Sequence, residues 1–571
     1  MMPGNCEHCL EGFEAEELRP SVLPSGHTSC PSCLRTGEDR SRCPLQCGGA
    51  DVQDAELLRL PDAVLVQVLR FVDVFDVVRC RQACRRLKAL STHPQVWQHR
   101  ALDDSSRSAA RALRVALELA PCARSLSVAA RASLRALARL AAKTSCAAEE
   151  LCLSPDDYVE EAVLVLQRQA DLGGLKSLTL ECRLNPDVTG YEREMGDLLS
   201  IVFTIDGLEE LSVAFMFWRG MTMPLRAGTK LLQVPSPCPK PSLKSLIYSV
   251  SQEDAFLQGL LRLHGPTLEK VALGGMIDLS LPAMEALVSM ASLQKLCVPL
   301  TEGVDLLRAC PALTKLTLVV HRPSPQALAD GEELLRSATT LTTLKIKTYR
   351  YTRREPGPKG TKPPSRSPPP SAYSAKCVIR GCSSDMEELM ALCYIENEGR
   401  NDGLVVPALV KALASSGCSR VERLALCVNK DQLPAGLVGV LPGLGALKDL
   451  RLQDVSDGFL RGIRHAVAPR LTRLHVWWLA VAECKHGGLL HDKAEMRRLK
   501  DLLRRHPGLH VTVNYSACAF HGAQGKCRHC KAGCHAAFKD AVHLGFFTHD
   551  ARQDCDVCND DSVVWHERLR L

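Results

Sequence analysis

The chain has 571 residues, 46% hydrophobic and 24% charged, which is enough apolar material for more than one packed domain and excludes a disordered composition. A formal net charge of +7 is small for this length and singles out neither nucleic acid nor an anionic membrane as partner. The opening MMPGNCEHCL lacks the basic start and apolar run of a secretion signal, and no apolar run reaches the roughly 20 residues of a membrane-spanning helix.

Six of the 27 cysteines fall in residues 1–50 and six in residues 514–571. The others are scattered nearly singly, as reduced cysteines of a cytoplasmic or nuclear protein would be. The first cluster reads Cys6-x2-Cys9, then Ser25, His27, Cys30-x2-Cys33, Cys43 and Cys47. Pairs at Cys-x2-Cys spacing favour Zn2+ over disulfides. The run resembles a RING finger in which Ser25 replaces one ligand. That resemblance implies a cross-brace, with Cys6, Cys9, Cys30 and Cys33 closing one tetrahedral site and His27, Cys43 and Cys47 supplying three ligands of a second. A serine hydroxyl stays protonated at neutral pH, and a full structural site contributes on the order of 10–16 kcal/mol, so the second site is weakened. His8 between the first cysteines and Gly48 after the last depart from the surface that recruits a ubiquitin-conjugating enzyme. They argue for a structural or docking finger within residues 1–50.

Residues 54–100 predict three short helices. Pro61 suits a helix start. Val64, Leu65, Val68, Leu69 and Val72 follow at i, i+1, i+4, i+5 and i+8, which places them on one face. Asp76 can cap a second helix carrying Val77, Val78, Cys84 and Leu87, and HPQVW opens a third element ending in Trp97. So small a core needs further cover. The run Leu60-Pro61-Asp62, the aliphatic pairs, Phe71-Val72, Asp73-x2-Asp76-Val77-Val78-Arg79, Cys84 and Pro94-x-Val96-Trp97 resembles an F-box, with Val74 where many members have proline. The resemblance implies docking onto the Skp adaptor of a cullin scaffold through Leu60, Pro61, Val64, Leu65, Val68, Leu69, Phe71, Val78 and Trp97.

From residue 101 to 513 a Leu-x-x-Leu-x-Leu pattern recurs, as AEELCL at Ala148, LKSLTL at Leu175 and LEELSV at Leu208. Variants begin at Leu243, Leu268, Leu293, Leu313, Leu341, Val421, Leu447 and Leu471, mostly at spacings in the twenties. This predicts an α/β leucine-rich-repeat solenoid, because no unit buries its apolar face alone. The stretch Arg350–Ser374 holds seven prolines and six basic residues against one Glu355, and predicts a disordered insertion over 350–375. Single residues of the array such as His475 or Cys297 read as core or surface positions.

Residues 514–571 hold Cys527-x2-Cys530 and Cys555-x2-Cys558, with Cys518, His521, Cys534, His535, His543 and His549 nearby, and predict a Cys/His-rich zinc module. Neither His-Glu-x2-His nor a phosphate-binding glycine loop is present, so the chain reads as non-catalytic. F-box followed by repeats implies a substrate-recognition subunit of a ubiquitin ligase with an unidentified protein substrate. The alternatives are a stand-alone RING-type ligase working with a ubiquitin-conjugating enzyme and, third, a zinc-finger nucleic-acid binder, against which the lack of basic-aromatic interleaving already argues. The reading involves no membrane.

Overall fold

The computed structural model describes residues 59–128, 134–155, 159–184, 191–217, 240–249, 255–274, 279–321, 323–348, 405–427, 435–453, 457–477 and 493–514, with short stretches at 21–22, 28–29, 543–548, 557 and 563–565. The chain divides into two compact units, Met1–Leu151 with Asp171–Gly174, and Cys152–Ala170 with Leu175–Leu571.

In the first unit, β1 (Ser21–Val22) and β2 (Thr28–Ser29) pair antiparallel. Four helices follow at Asp62–Phe71, Val74–Ala83, Arg85–Leu90 and Pro94–Trp97. The expected second helix is broken in two. Cys84 is extended (φ −158°, ψ 161°), and its Sγ accepts from Leu87 N at 3.5 Å, capping the next helix. Asp73 rather than Asp76 caps the helix at Val74, its Oδ1 accepting from Phe75 N at 2.8 Å. Asp76 lies in the first turn and pairs with Arg79 at 2.6 Å. The helix Arg107–Leu119 packs against Val74–Ala83, and β4 (Cys122–Val128) against Pro94–Trp97. β3 (Ala101–Asp103) runs parallel to β4. β5 spans Ala147–Leu153.

The second unit repeats one pattern. Its parallel strands are β6 (Ser177–Leu184), β7 (Glu210–Phe217), β8 (Ser245–Ser249), β9 (Lys270–Gly274), β10 (Lys295–Pro299), β11 (Lys315–Val320), β12 (Thr343–Thr348), β13 (Arg423–Cys427), β14 (Asp449–Gln453), β15 (Arg473–Trp477) and β16 (His510–Asn514). The last two leucines of each motif alternate inward, so Leu316, Leu344, Leu424 and Leu450 stand in one buried ladder and Leu318, Ile346, Leu426 and Leu452 in the next. Returns between strands are helices such as Pro325–Ser337 and Val405–Ser415. Where the spacing is shortest, between Leu293 and Leu313, the return shrinks to the 3-10 segment Val304–Ala309. β17 (His543–Phe546) closes onto β16 antiparallel, and β18 (Val563–Trp565) pairs with β17. Part of the expected C-terminal zinc module therefore continues the repeat sheet. The insertion over 350–375 lies outside the described residues. No helix among the described residues is long and apolar enough to cross a membrane.

Candidate functional site

The helix Asp62–Phe71 divides its apolar residues between two faces. Leu65, Val66 and Leu69 are buried against Pro94–Trp97 and Arg85–Leu90. Val64, Val68 and Phe71 are exposed, at 42, 38 and 83%. The single uncovered face expected to include Leu65 and Leu69 is thus corrected. Neighbouring helical residues are about 100° apart, so in each aliphatic pair one member turns in and the other out. Val78 and Trp97 are buried as well, Leu60 is half-buried, and Pro61 is exposed at the cap of the helix.

Two arginines lock this helix. Arg100 donates to the carbonyls of Leu69 at 2.8 Å, Val72 at 2.7 Å and Val96 at 2.8 Å, filling acceptors that the helix end leaves open. Its guanidinium also lies 5.3 Å from the Trp97 ring. Burial pulls the Arg100 pKa below the usual arginine value, and Asp73 opposes that pull. At the other end Arg86 donates to Asp62 Oδ1 at 2.6 Å and to the Leu60 carbonyl at 2.8 Å. The Trp97 indole donates to the Ser91 carbonyl at 2.6 Å. None of these ties was read from the sequence; the apolar pattern carries no signal for them. The outcome is a rigid helix that presents Val64, Val68 and Phe71 at i, i+4 and i+7, with Arg70 over the Phe71 ring at 5.7 Å.

The candidate zinc ligands Cys6, Cys9, His27, Cys30, Cys33, Cys43, Cys47, Cys527, Cys530, Cys555 and Cys558 lie outside the described residues. Among the described residues no three His, Cys, Asp or Glu gather as a metal would require. The scattered cysteines among the described residues form no disulfide, and burial pushes Cys146 up to about 12 and Cys310 up to about 11.

Comparison with known proteins places these features. Residues 57–103 match the F-box-like family model. No curated protein matches the chain. Among solved structures, the leucine-rich repeat-containing protein LegL7 from Legionella pneumophila is similar, with 12% identity, 66% of this chain and 96% of that chain covered, and a TM-score of 0.34. The complex of Rad7 and Elc1 in yeast is similar with 13% identity, 73% of this chain and 88% of that chain covered, and a TM-score of 0.33. Residues 57–103 are an F-box-like domain, and the chain continues from it into an array of leucine-patterned parallel strands.

Proposed function

We propose that the chain is the non-catalytic substrate-recognition subunit of a cullin-type (SCF-type) ubiquitin ligase. The F-box-like domain docks on the Skp adaptor, which joins it to the cullin scaffold, and the repeats hold a protein substrate for ubiquitination. The observation that carries this reading is the exposed stripe Val64, Val68 and Phe71 on a helix whose other large aliphatics are packed inside. Fully burying each such side chain contributes roughly 1.5–3 kcal/mol, and that gain is realised when a partner covers the stripe. Leu65, Leu69, Val78 and Trp97 act beneath it by holding the helix in place. The complex works in the cytoplasm or nucleus. In the same reading the Cys/His clusters at both ends hold structural Zn2+ through closed thiolate and imidazole sites that stabilise their own modules.

Co-purification of the Skp adaptor with the full chain tests the docking. Val64→Asp, Val68→Asp and Phe71→Asp combined should weaken capture by about a hundredfold or more, as removal of several anchor side chains does. Leu164→Asp, an equally exposed apolar position outside the F-box-like domain, should leave it unchanged. Full capture by the triple variant, with the Trp97 fluorescence environment intact, would reject the reading. Metal analysis of the same preparations should find zinc.

A further inference from the structure

The last two helical returns of the array carry most of the chain's charge surplus. Residues 457–514 hold eleven Lys and Arg against five Asp and Glu, a surplus of six where the whole chain has seven. The helix Lys493–Arg505 turns Leu499, Leu502 and Leu503 inward and leads into the buried His506. Its outer stripe is therefore Arg497, Lys500, Asp501 and Arg504, at i, i+3, i+4 and i+7. Arg497 and Arg504 are exposed and Lys500 is half-buried. Asp501 stands among these cations and is already taken by Arg504 at 3.0 Å.

The preceding return, Asp457–Gly462, packs against this helix, and the turn after it brings two more cations to the helix end. His506 donates from Nε2 to the Ala468 carbonyl at 2.9 Å, and its ring meets that of His465 edge-on with centroids 5.1 Å apart. Arg464 and Arg470 flank this contact in sequence, and both are exposed. The side chains of Arg464, Arg470, Arg497 and Lys500 have no hydrogen-bond or ion-pair partner among the described residues. The helix dipole accounts for Arg504 and Arg505 in the last turn, but Arg497 and Lys500 lie more than a turn from that end, where its effect has faded. Four cations are thus gathered with no partner inside the fold, and their mutual repulsion is a cost that a polyanion laid across them would offset. The patch is also bounded, because the return before these two, the 3-10 segment Ala435–Gly443, carries no charge at all.

We infer that the outer surface of these last two returns binds an acidic segment of a partner protein, whose Asp and Glu carboxylates pair with Arg464, Arg470, Arg497 and Lys500. Three of the four are arginines, whose planar fork takes a carboxylate through two parallel N–H bonds. The patch ends within two returns, which suits a short run of carboxylates better than the long phosphate track of a duplex. It shows no exposed Phe, Tyr or Trp among the described residues on which single-strand bases could stack. Nor does it show an exposed large aliphatic side chain there that could enter a bilayer. This surface is separate from the stripe on the F-box-like domain, and the inference does not depend on adaptor docking.

The test is titration of the full chain into a labelled Glu-rich peptide and into its counterpart with Gln in place of Glu, followed by fluorescence anisotropy. The Glu peptide should bind, with affinity falling as salt rises, and the Gln peptide should not. Arg497→Glu with Lys500→Glu, and separately Arg464→Glu with Arg470→Glu, should each weaken binding by about tenfold or more, as charge reversal at a complementary surface does. Lys411→Glu, an exposed cation on the helix Val405–Ser415 beyond the uncharged return, should bind as wild type. The urea midpoint should not fall in any of these variants, since the reversed cations have no partner in the fold to lose. Equal binding of the two peptides, or binding of the Glu peptide that is indifferent to both double reversals, would overturn the inference. So would a duplex oligonucleotide or phosphatidylserine vesicles that bind more tightly than the Glu peptide and lose that binding in the same two variants. Adaptor capture, measured in parallel, should be unchanged throughout, and its absence in the wild-type chain would refute the receptor role without touching this surface.

Discussion

His264 is a buried ring whose hydrogen bonds should make its part of the repeat array sensitive to acid. It ends the helix Ala255–His264, and its Nδ1 accepts from the backbone amides of Ser242 and Leu243 at 3.3 and 3.4 Å. Protonation at Nδ1 would break both bonds and bury a charge, so burial lowers the pKa from 6.5 to about 4. The unfolded chain therefore takes up the proton first as pH falls. The stabilisation is complete above pH 6.5 and is lost progressively down to about pH 4, roughly 3 kcal/mol at most. Amide exchange at Ser242 and Leu243, corrected for intrinsic rates, should accelerate through that window. In His264→Gln the extra acceleration should vanish, although baseline protection will be lower. A wild-type profile flat from pH 7 to pH 4 would show that the ring is protonated in place without penalty.

At the scale of elements, neighbouring returns approach one another through glycine. A Cβ on Gly443, at the end of the 3-10 segment Ala435–Gly443, would come within 2.7 Å of the Ala414 carbonyl oxygen and 2.8 Å of its Cβ, in the preceding helix. Gly462 meets Val438 in the same way at 2.7 Å. Replacing a glycine by alanine ordinarily gains about 0.4–1 kcal/mol by restricting the unfolded chain. At Gly443 the obstacle is backbone, which cannot rotate aside, so Gly443→Ala should destabilise the array by about 1–3 kcal/mol, the usual range for overpacking. Urea unfolding with a midpoint equal to or above wild type would contradict this. The strands were legible because Leu-x-x-Leu-x-Leu carries its own period, and each of the eleven motifs leads into a strand. β3, β4 and β16 escaped notice because Ala101–Asp103, Cys122–Val128 and His510–Asn514 lack the full leucine spacing, and their assignment comes from pairing with a neighbour. The break at Cys84 was equally hidden, since RQACRRLKAL reads as one continuous helix until the thiol caps Leu87. The F-box pattern was legible along its whole length, whereas the division of Val64 from Leu65 and of Val68 from Leu69 depends on which side the helix Pro94–Trp97 occupies.

At the scale of the whole molecule, a stacked array has to end somewhere without leaving its last strand as an open template for other chains. Here β17 covers β16 and is itself followed by the short strand β18, which is the outermost of the sheet. Val511, Thr512, Val513 and Asn514 pair with Phe546, Gly545, Leu544 and His543. Phe546 and Phe547 are buried, the Phe547 ring stacks on His510 with centroids 6.0 Å apart, and Thr548 donates to the Pro507 carbonyl at 3.0 Å. β17 lies between the Cys527–Cys530 and Cys555–Cys558 pairs in sequence, so zinc on those thiolates would hold the chain on both sides of the closing strand. Truncation after Asn514 should therefore speed amide exchange in Val511–Val513, lower solubility and leave adaptor capture by the F-box-like domain unchanged. Chelation of the full chain should reproduce the same exchange pattern at β16, and should add nothing in the truncated chain. If chelation leaves β16 fully protected while truncation exposes it, the closing strand is held by its own strand pairing and by Phe546 and Phe547, and the metal has no part in ending the array.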